Sequence, residues 1–419
     1  MKIYTYNPAL HQSPNVRGSE LPPLAPGTSW ARFGRETLLY GADDTDPVPQ
    51  GPPFSRDAGT ASRHVNATRE QLHVVVQHGR LFQQHHPDVP VLHNRGRFLL
   101  VQIDPARART LQTGEATCYG LIPLASNQVV FEERDRAIAR APVPFIRALT
   151  AKPTRASVEA SLTKLVSFGS RHSTSTGYVA AAKFAKEQLA AMGYTTRLQE
   201  VTLGTAKTRN VIAHKPGSGP NPRRLVIVAA HLDSINLAGG PAAPAPGADD
   251  NGSGSAGVLE IARAFKDHHA VHDLRCILFG GEEQGLFGSK HYVARLSAAE
   301  RSKIEAVVNM DMVGSLNSAS RSVLLEGAEL SQAVIDGLTD AASTYTELAV
   351  ETSLHPFASD HVPFIEKGIS AVLTIEGADN TNSTVHSAND KIERIDYELL
   401  LEILRMNVGF IAGAIGRAS

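Results

Sequence analysis

Three short apolar runs in this chain end on groups that bind metal or move protons. Val226 to Ala230 leads into His231, Leu232 and Asp233; Ile277, Leu278 and Phe279 lead through two glycines into Glu282 and Glu283; Val307, Val308, Asn309 and Met310 lead into Asp311. Two further contributions are the loop 246–254, Pro-Gly-Ala-Asp-Asp-Asn-Gly-Ser-Gly, which holds Asp249 and Asp250, and the pair Val385-His386 after the apolar run ending at Ile375. The carboxyl ends of strands in an open α/β sheet face the ligand crevice, so residues far apart in sequence converge there. Imidazoles and carboxylates gathered without a cation would desolvate and repel one another. Divalent metal removes that conflict. With His231, Asp250, Glu283, Asp311 and His386 as ligands, three carboxylates stand against two zinc ions, and a bridging hydroxide brings the site near neutrality. Five side chains serve two ions at roughly 3.5–4 Å spacing only if one carboxylate bridges, and Asp250 is the best candidate. The mixed donor set suits zinc, with cobalt or manganese as possible substitutes, and is too rich in nitrogen for calcium or magnesium.

Glu282 stands beside Glu283, and neighbours just past a strand point in different directions. One can bind metal while the other faces substrate, which frees Glu282 to act as general base. Asp233, two residues after His231, can accept that imidazole's second N–H and fix its tautomer.

These residues need a scaffold of strands with covered faces. Tyr178, Ala181, Ala182, Ala185, Leu189 and Met192 form one apolar stripe at helical spacing, stopped by Gly193. Beyond it, apolar strands at 225–230, 275–279, 306–310 and 371–375 alternate with helical segments, including one at 255–265. The pattern predicts an α/β fold, a three-layer sandwich with a mixed, mainly parallel central sheet.

At 419 residues the chain is long for one domain, and two units are expected. Residues 8–56, crowded with proline and glycine, read as an extended arm. Short apolar runs at 98–101 and 118–122, with a helix around 105–111, read as a small α+β unit. Pro142, Pro144 and Pro153 place the boundary near residue 150, dividing the chain into 1–150, with a cap, pro-region or oligomerisation role, and a catalytic domain at 151–419. Lys and Arg total 41 against 42 Asp and Glu, a net charge of −1, which argues against nucleic acid as a partner. With 42% hydrophobic residues the chain is globular. Cys118 and Cys276 are its two cysteines, so neither a disulfide framework nor a thiolate zinc site is available. No run approaches the roughly 18–20 apolar residues of a membrane span, and no membrane partner is expected. The N-terminus lacks a signal-peptide pattern, which reads as cytoplasmic, or as secreted if a leader has been removed.

The ordered blocks Ala-His-Leu-Asp-Ser at 230–234, the loop 246–254, Gly-Glu-Glu-Gln-Gly-Leu-Phe-Gly-Ser at 281–289, Asn-Met-Asp-Met at 309–312, Ser-Asp-His at 359–361 and His-Ser-Ala-Asn-Asp at 386–390 closely resemble the double-zinc bacterial leucyl aminopeptidases. These are zinc exopeptidases of the glutaminyl cyclase superfamily, and the match runs over about residues 155–415. The resemblance implies that Asp250 bridges, His231 and Asp311 complete one zinc, Glu283 and His386 complete the other, Glu282 is the base, and Asp249 is not a ligand. It further implies peptide substrates with a free N-terminus, whose terminal side chain meets Met312 and Val385. Some relatives carry a tyrosine shortly before Ser-Asp-His to steady the oxyanion; this chain has His355, Pro356 and Phe357, and His355 could substitute. Alternatives on the same fold are a single-zinc glutaminyl-cyclase-like transferase and a carboxypeptidase; a non-catalytic scaffold has no need of the intact ligands and base. Outside these blocks, His85, His86, His268, His269 and His272 read as surface residues, the cysteines as small buried groups, and Gly252 and Gly254 as turn formers.

Overall fold

A computed structural model describes residues 2–6, 24, 26–41, 62–111, 119–136 and 139–418. The chain forms two compact units that part at Glu133 and Arg134. The sequence places this boundary near residue 150. The helix Pro144–Thr150 instead belongs to the larger unit, because its Ile146 and Leu149 are buried in that unit's core.

In the smaller unit, Leu72–Gln77 pairs antiparallel with Phe98–Gln102 and Tyr119–Pro123, and Phe98–Gln102 also pairs with Val91–Arg95. The helix Pro105–Thr110 is capped by Asp104, whose carboxylate accepts the Ala106 and Arg107 N–H groups. The arm expected at 8–56 is partly regular: Ser29–Phe33 and Glu36–Gly41 pair antiparallel around Gly34, with Ala31, Phe33, Leu38 and Leu39 buried. No proline falls between Pro26 and Pro47, so the apolar residues of that stretch are free to pair. Residues 8–23, 25 and 42–56 of the arm, and Cys118, lie outside the described residues.

The larger unit is built on eight strands in the order Thr195–Leu203, Ala206–Lys215, Asp273–Phe279, Leu225–His231, Ile304–Met310, Ala371–Glu376, Ser322–Glu326 and Ala349–Ser353. The four strands from Asp273–Phe279 to Ala371–Glu376 run parallel, while Ala206–Lys215 and Ser322–Glu326 join them antiparallel. This is the mixed, mainly parallel sheet the sequence predicts. Its faces follow from the two-residue period of a strand. Val226, Val228 and Ala230 enter the core formed with helices Arg155–Val166, Thr176–Ala191, Gly254–Phe265, Gln332–Tyr345 and Tyr397–Ile415. Leu225, Ile227 and Ala229 pack on the other side with Tyr292, Val293 and Phe364. Each such Val, Leu or Ile contributes roughly 1.5–3 kcal/mol by leaving water, so the central strands are held from both faces.

The stripe from Tyr178 to Leu189 is buried as predicted, and its helix begins where Ser175 Oγ accepts the Tyr178 N–H at 3.0 Å. The edge strand Thr195–Leu203, Ala206–Lys215, Ser322–Glu326 and Ala349–Ser353 were not anticipated. Thr195–Leu203 is polar and mostly exposed, so it carries no apolar run. Among the described residues no helix is long and apolar enough to cross a membrane.

Candidate metal centre

His231 is the last residue of its strand, and Asp311 follows the neighbouring parallel strand. His231 Nε2 lies 3.1 Å from Asp311 Oδ1, 3.2 Å from Asp250 Oδ1 and 4.0 Å from Glu282 Oε2. His386 Nε2 lies 3.1 Å from Asp250 Oδ2 and 3.0 Å from Glu283 Oε2. All five sequence-predicted ligands therefore meet, and the two oxygens of Asp250 are divided between the two imidazoles. Donor atoms of His231, Glu282 and Asp311 fall within 4.8 Å of one another, as do those of His231, Asp250 and Glu283.

The charge balance is severe. Burial pushes Glu282 well above the carboxylate range, reinforced by Asp311 and opposed by His231. Burial and the charge of Asp250 push Glu283 up to about 7. Burial would raise Asp250 too, but hydrogen bonds to His231 and His386 hold it well below the usual range. Burial would lower both imidazoles, yet Asp311 and Glu282 around His231, and Glu283 and Asp250 around His386, carry them well above the ordinary value. Among the described residues, Glu283 Oε1 is buried with no hydrogen-bond partner. An orphaned carboxylate oxygen amid crowded acids is the environment a divalent cation satisfies, and the donor set fits zinc.

The surroundings differ from expectation at Asp233. The main-chain carbonyl of Asp233, at 3.1 Å, is the hydrogen-bond partner of His231 Nδ1, while its carboxylate stands off at 3.7 Å. That carboxylate accepts the N–H groups of Glu282 and Glu283 at 3.4 and 3.2 Å. Asp233 thus anchors the turn carrying both glutamates and touches the imidazole mainly through its backbone, because one short side chain cannot align with both. Asp249 faces away from the ligands: its oxygens accept the Gly314 N–H at 2.9 Å and the Asn382 amide at 2.8 Å.

Several contributors have roles that the sequence does not specify, although Gly254, Ser359 and Asp390 fall inside the blocks named above. Asp390 accepts the N–H groups of Asp249 and Asp250, each at 2.9 Å, and so sets the ligand loop. Ser359 Oγ donates to Asp311 Oδ2 at 2.6 Å and accepts from Asn309 Nδ2 at 2.9 Å. The fully buried Arg171 donates to the carbonyls of Leu232, Pro246 and Gly247. Gly254 is required by close approach: a Cβ there would sit 2.3 Å from Asn251 Oδ1 and 2.6 Å from the Met310 carbonyl. Met312 and His386 both adopt positive φ, 51° and 57°, backbone conformations that cost non-glycine residues free energy and tend to cluster at functional sites.

Of the expected pocket residues, Met312 is buried, and Val385, His355 and Phe357 are half-buried. Phe357 donates its N–H to Glu326 Oε1 at 2.9 Å, and that carboxylate faces His361 Nε2 at 3.6 Å. The histidine expected at the surface near residue 268 is an exception to its group: His268 is buried, stacks on Phe145 at 5.9 Å, and contacts the Gly416 carbonyl at 2.8 Å. Cys276 is buried in the sheet core as expected, and burial pushes its thiol up.

Residues 210–411 match the sequence profile of peptidase family M28. Leupeptin-inactivating enzyme 1 of Streptomyces exfoliatus is 35% identical over 261 residues, covering 60% of this chain and 54% of that protein. Aminopeptidase YwaD of Bacillus subtilis is 35% identical over 217 residues, 49% of this chain and 44% of that protein. The chain spans about half the length of these curated relatives. Among solved structures, LapB from Legionella pneumophila superposes with a TM-score of 0.60 at 19% identity, over 82% of this chain and 99% of that one. A zinc aminopeptidase from Bacillus subtilis gives 0.57 at 18% identity, over 63% and 96% of the two chains. Porphyromonas gingivalis glutaminyl cyclase gives 0.52 at 22%, over 62% and 98%. These likenesses establish the fold.

Proposed function

We propose that this chain, whose residues 210–411 match the profile of peptidase family M28, is a metalloaminopeptidase that removes N-terminal residues from peptides with a free amino terminus. The observation that carries this reading is the division of Asp250, one oxygen 3.2 Å from His231 and the other 3.1 Å from His386. A carboxylate so placed between two donor sets would be able to serve an ion in each. His231 and Asp311 would hold one zinc with it, and Glu283 and His386 a second. Zinc supplies Lewis acidity for the scissile carbonyl and makes water a better nucleophile at neutral pH. A single-zinc, cyclase-like site has no use for a bridging carboxylate, so the two-zinc peptidase is the better fit.

The chain's own residues do the remaining work. The Glu282 carboxylate takes a proton from the attacking water and delivers it to the leaving amine, a role worth roughly 100-fold to 10,000-fold in rate. Asp233 fixes the backbone of Glu282 during that transfer. Met312 and Val385 stand next in sequence to two ligands and would line the pocket for the terminal side chain. His355 and Phe357 would line the same pocket, and His355 would steady the developing oxyanion in place of the tyrosine that some relatives carry.

Hydrolysis of a leucyl anilide tests the reading. Activity is expected to vanish on chelation and return with zinc. Turnover that survives exhaustive chelation would rule the assignment out.

A further inference from the structure

Arg171 is fully buried, and among the described residues its guanidinium donates only to carbonyl oxygens, never to a carboxylate. Nε reaches Leu232 at 2.8 Å, Nη1 reaches Pro246 at 2.6 Å and Leu165 at 3.5 Å, and Nη2 reaches Gly247 at 2.8 Å. Leu232 directly follows the ligand His231, and Gly247 opens the loop that carries the ligand Asp250. Ser234 ties the same segments again: its Oγ accepts the Arg171 N–H at 3.2 Å and donates to the Ala245 carbonyl at 2.8 Å. Room for this contact is reserved, since a Cβ on Gly247 would lie 2.4 Å from Ser234 Cβ and 3.0 Å from Arg171 Nη2.

A buried cation here is costly. Burying a guanidinium is unfavourable, and the carboxylates of Asp390, Asp233, Asp250 and Glu283 offset that here without a direct ion pair, while a fixed positive charge near a cation site opposes metal binding. What Arg171 alone supplies is a rigid planar fork able to bridge separate carbonyls. We propose that Arg171, with Ser234, is a positioning residue for the metal centre, holding the His231 strand end and the Asp250 loop at the separation the bridging carboxylate requires. This rests on the metal-centre reading above.

Zinc affinity of the whole chain, measured by competition with a chromophoric chelator, tests it through Arg171→Lys. That variant keeps the charge and loses the fork. Affinity is expected to fall about 10-fold to 100-fold, the usual effect of disturbing groups that orient ligands, in protein that remains folded without metal by thermal unfolding. A purely structural role would lower the unfolding temperature of the metal-free protein and leave the affinity of the folded fraction unchanged; a purely electrostatic role would leave Arg171→Lys at wild-type affinity. Either result overturns the proposal. Should Arg171→Lys fail to fold, Ser234→Ala, which removes one hydroxyl link and no charge, carries the test: a loss of about tenfold supports positioning, and affinity within twofold of wild type overturns it. Failure of the wild-type chain to bind zinc would count against the metal-centre reading itself.

Discussion

Adjacent aspartates with opposite duties make the clearest contrast at the scale of single residues. Asp250 divides its oxygens between His231 and His386, whereas Asp249 spends both of its oxygens on the Gly314 and Asn382 donors. Asp250→Asn should therefore abolish metal binding by more than the roughly 10–100-fold of an outer-shell change and leave the fold intact. Asp249→Asn should act the other way round, since its new amide N–H₂ confronts existing donors at a buried site. A cost of about 1–3 kcal/mol is expected, read from chemical denaturation of the metal-free protein. Glu282→Gln should keep metal affinity within a few fold and lower kcat roughly 100-fold to 10,000-fold; a variant turning over at near wild-type rate would remove Glu282 from its assigned role. His231, Glu283 and Asp311 were legible because each lies just past an apolar run, and Asp250 and His386 because they sit in blocks that resemble the aminopeptidase family. Arg171 was not, since a side chain that bonds to distant backbone groups leaves no local pattern, and Asp390 closes a resembling block without its bonds to the Asp249 and Asp250 N–H groups being visible there. Asp233 was half legible: its closeness to His231 follows from spacing, but its carboxylate turns to the Glu282 and Glu283 amides, a contact between segments that no spacing records.

At the scale of elements, legibility tracked the length of the apolar run more than burial, since the fully buried but short Ser322–Glu326 was not anticipated. Strands covered on both faces, such as Leu225–His231, read as unbroken apolar runs. The edge strand Thr195–Leu203 is polar, and its partner could have been found only from the two-residue turn Gly204-Thr205, where Gly204 takes a φ of 58°. Likewise Ser29–Phe33 and Glu36–Gly41 hide within a proline-rich stretch. The start of the strand Asp273–Phe279 yields a prediction in pH. Burial would raise Asp273, but the Gly217 N–H and Arg223 Nε, each at 2.8 Å, hold it below the usual carboxylate value. A carboxylate depressed in the folded state contributes stability above its unfolded value near 4 and loses it as pH falls through the folded value. Asp273→Asn should therefore be less stable than wild type at pH 7, and the gap in denaturation midpoint should close on acidification to about pH 2–3. A gap independent of pH would contradict the assigned ion pair.

For the molecule as a whole, near-neutral net charge conceals a strongly unequal distribution. Asp233, Asp249, Asp250, Asp311, Asp360, Glu376 and Asp390 are all buried in the larger unit, with Glu282 and Glu283 nearly so. Arg171 is the buried arginine set among them. Hydrogen bonds from backbone and amides absorb part of this charge; the remainder is concentrated where His231, Asp250 and His386 meet. Such a unit gains stability from whatever cation binds there, by about 2.7 kcal/mol when free metal is 100-fold above its dissociation constant. Chelation should accordingly lower the unfolding temperature, and zinc should restore it. The central claim is that one carboxylate bridges two ions, and the metal-to-protein ratio tests it most directly. After exhaustive chelation and re-titration with zinc, the account predicts a plateau at two ions per chain that Asp250→Asn destroys. A plateau at one ion per chain, or a plateau at two that survives in Asp250→Asn, would contradict it.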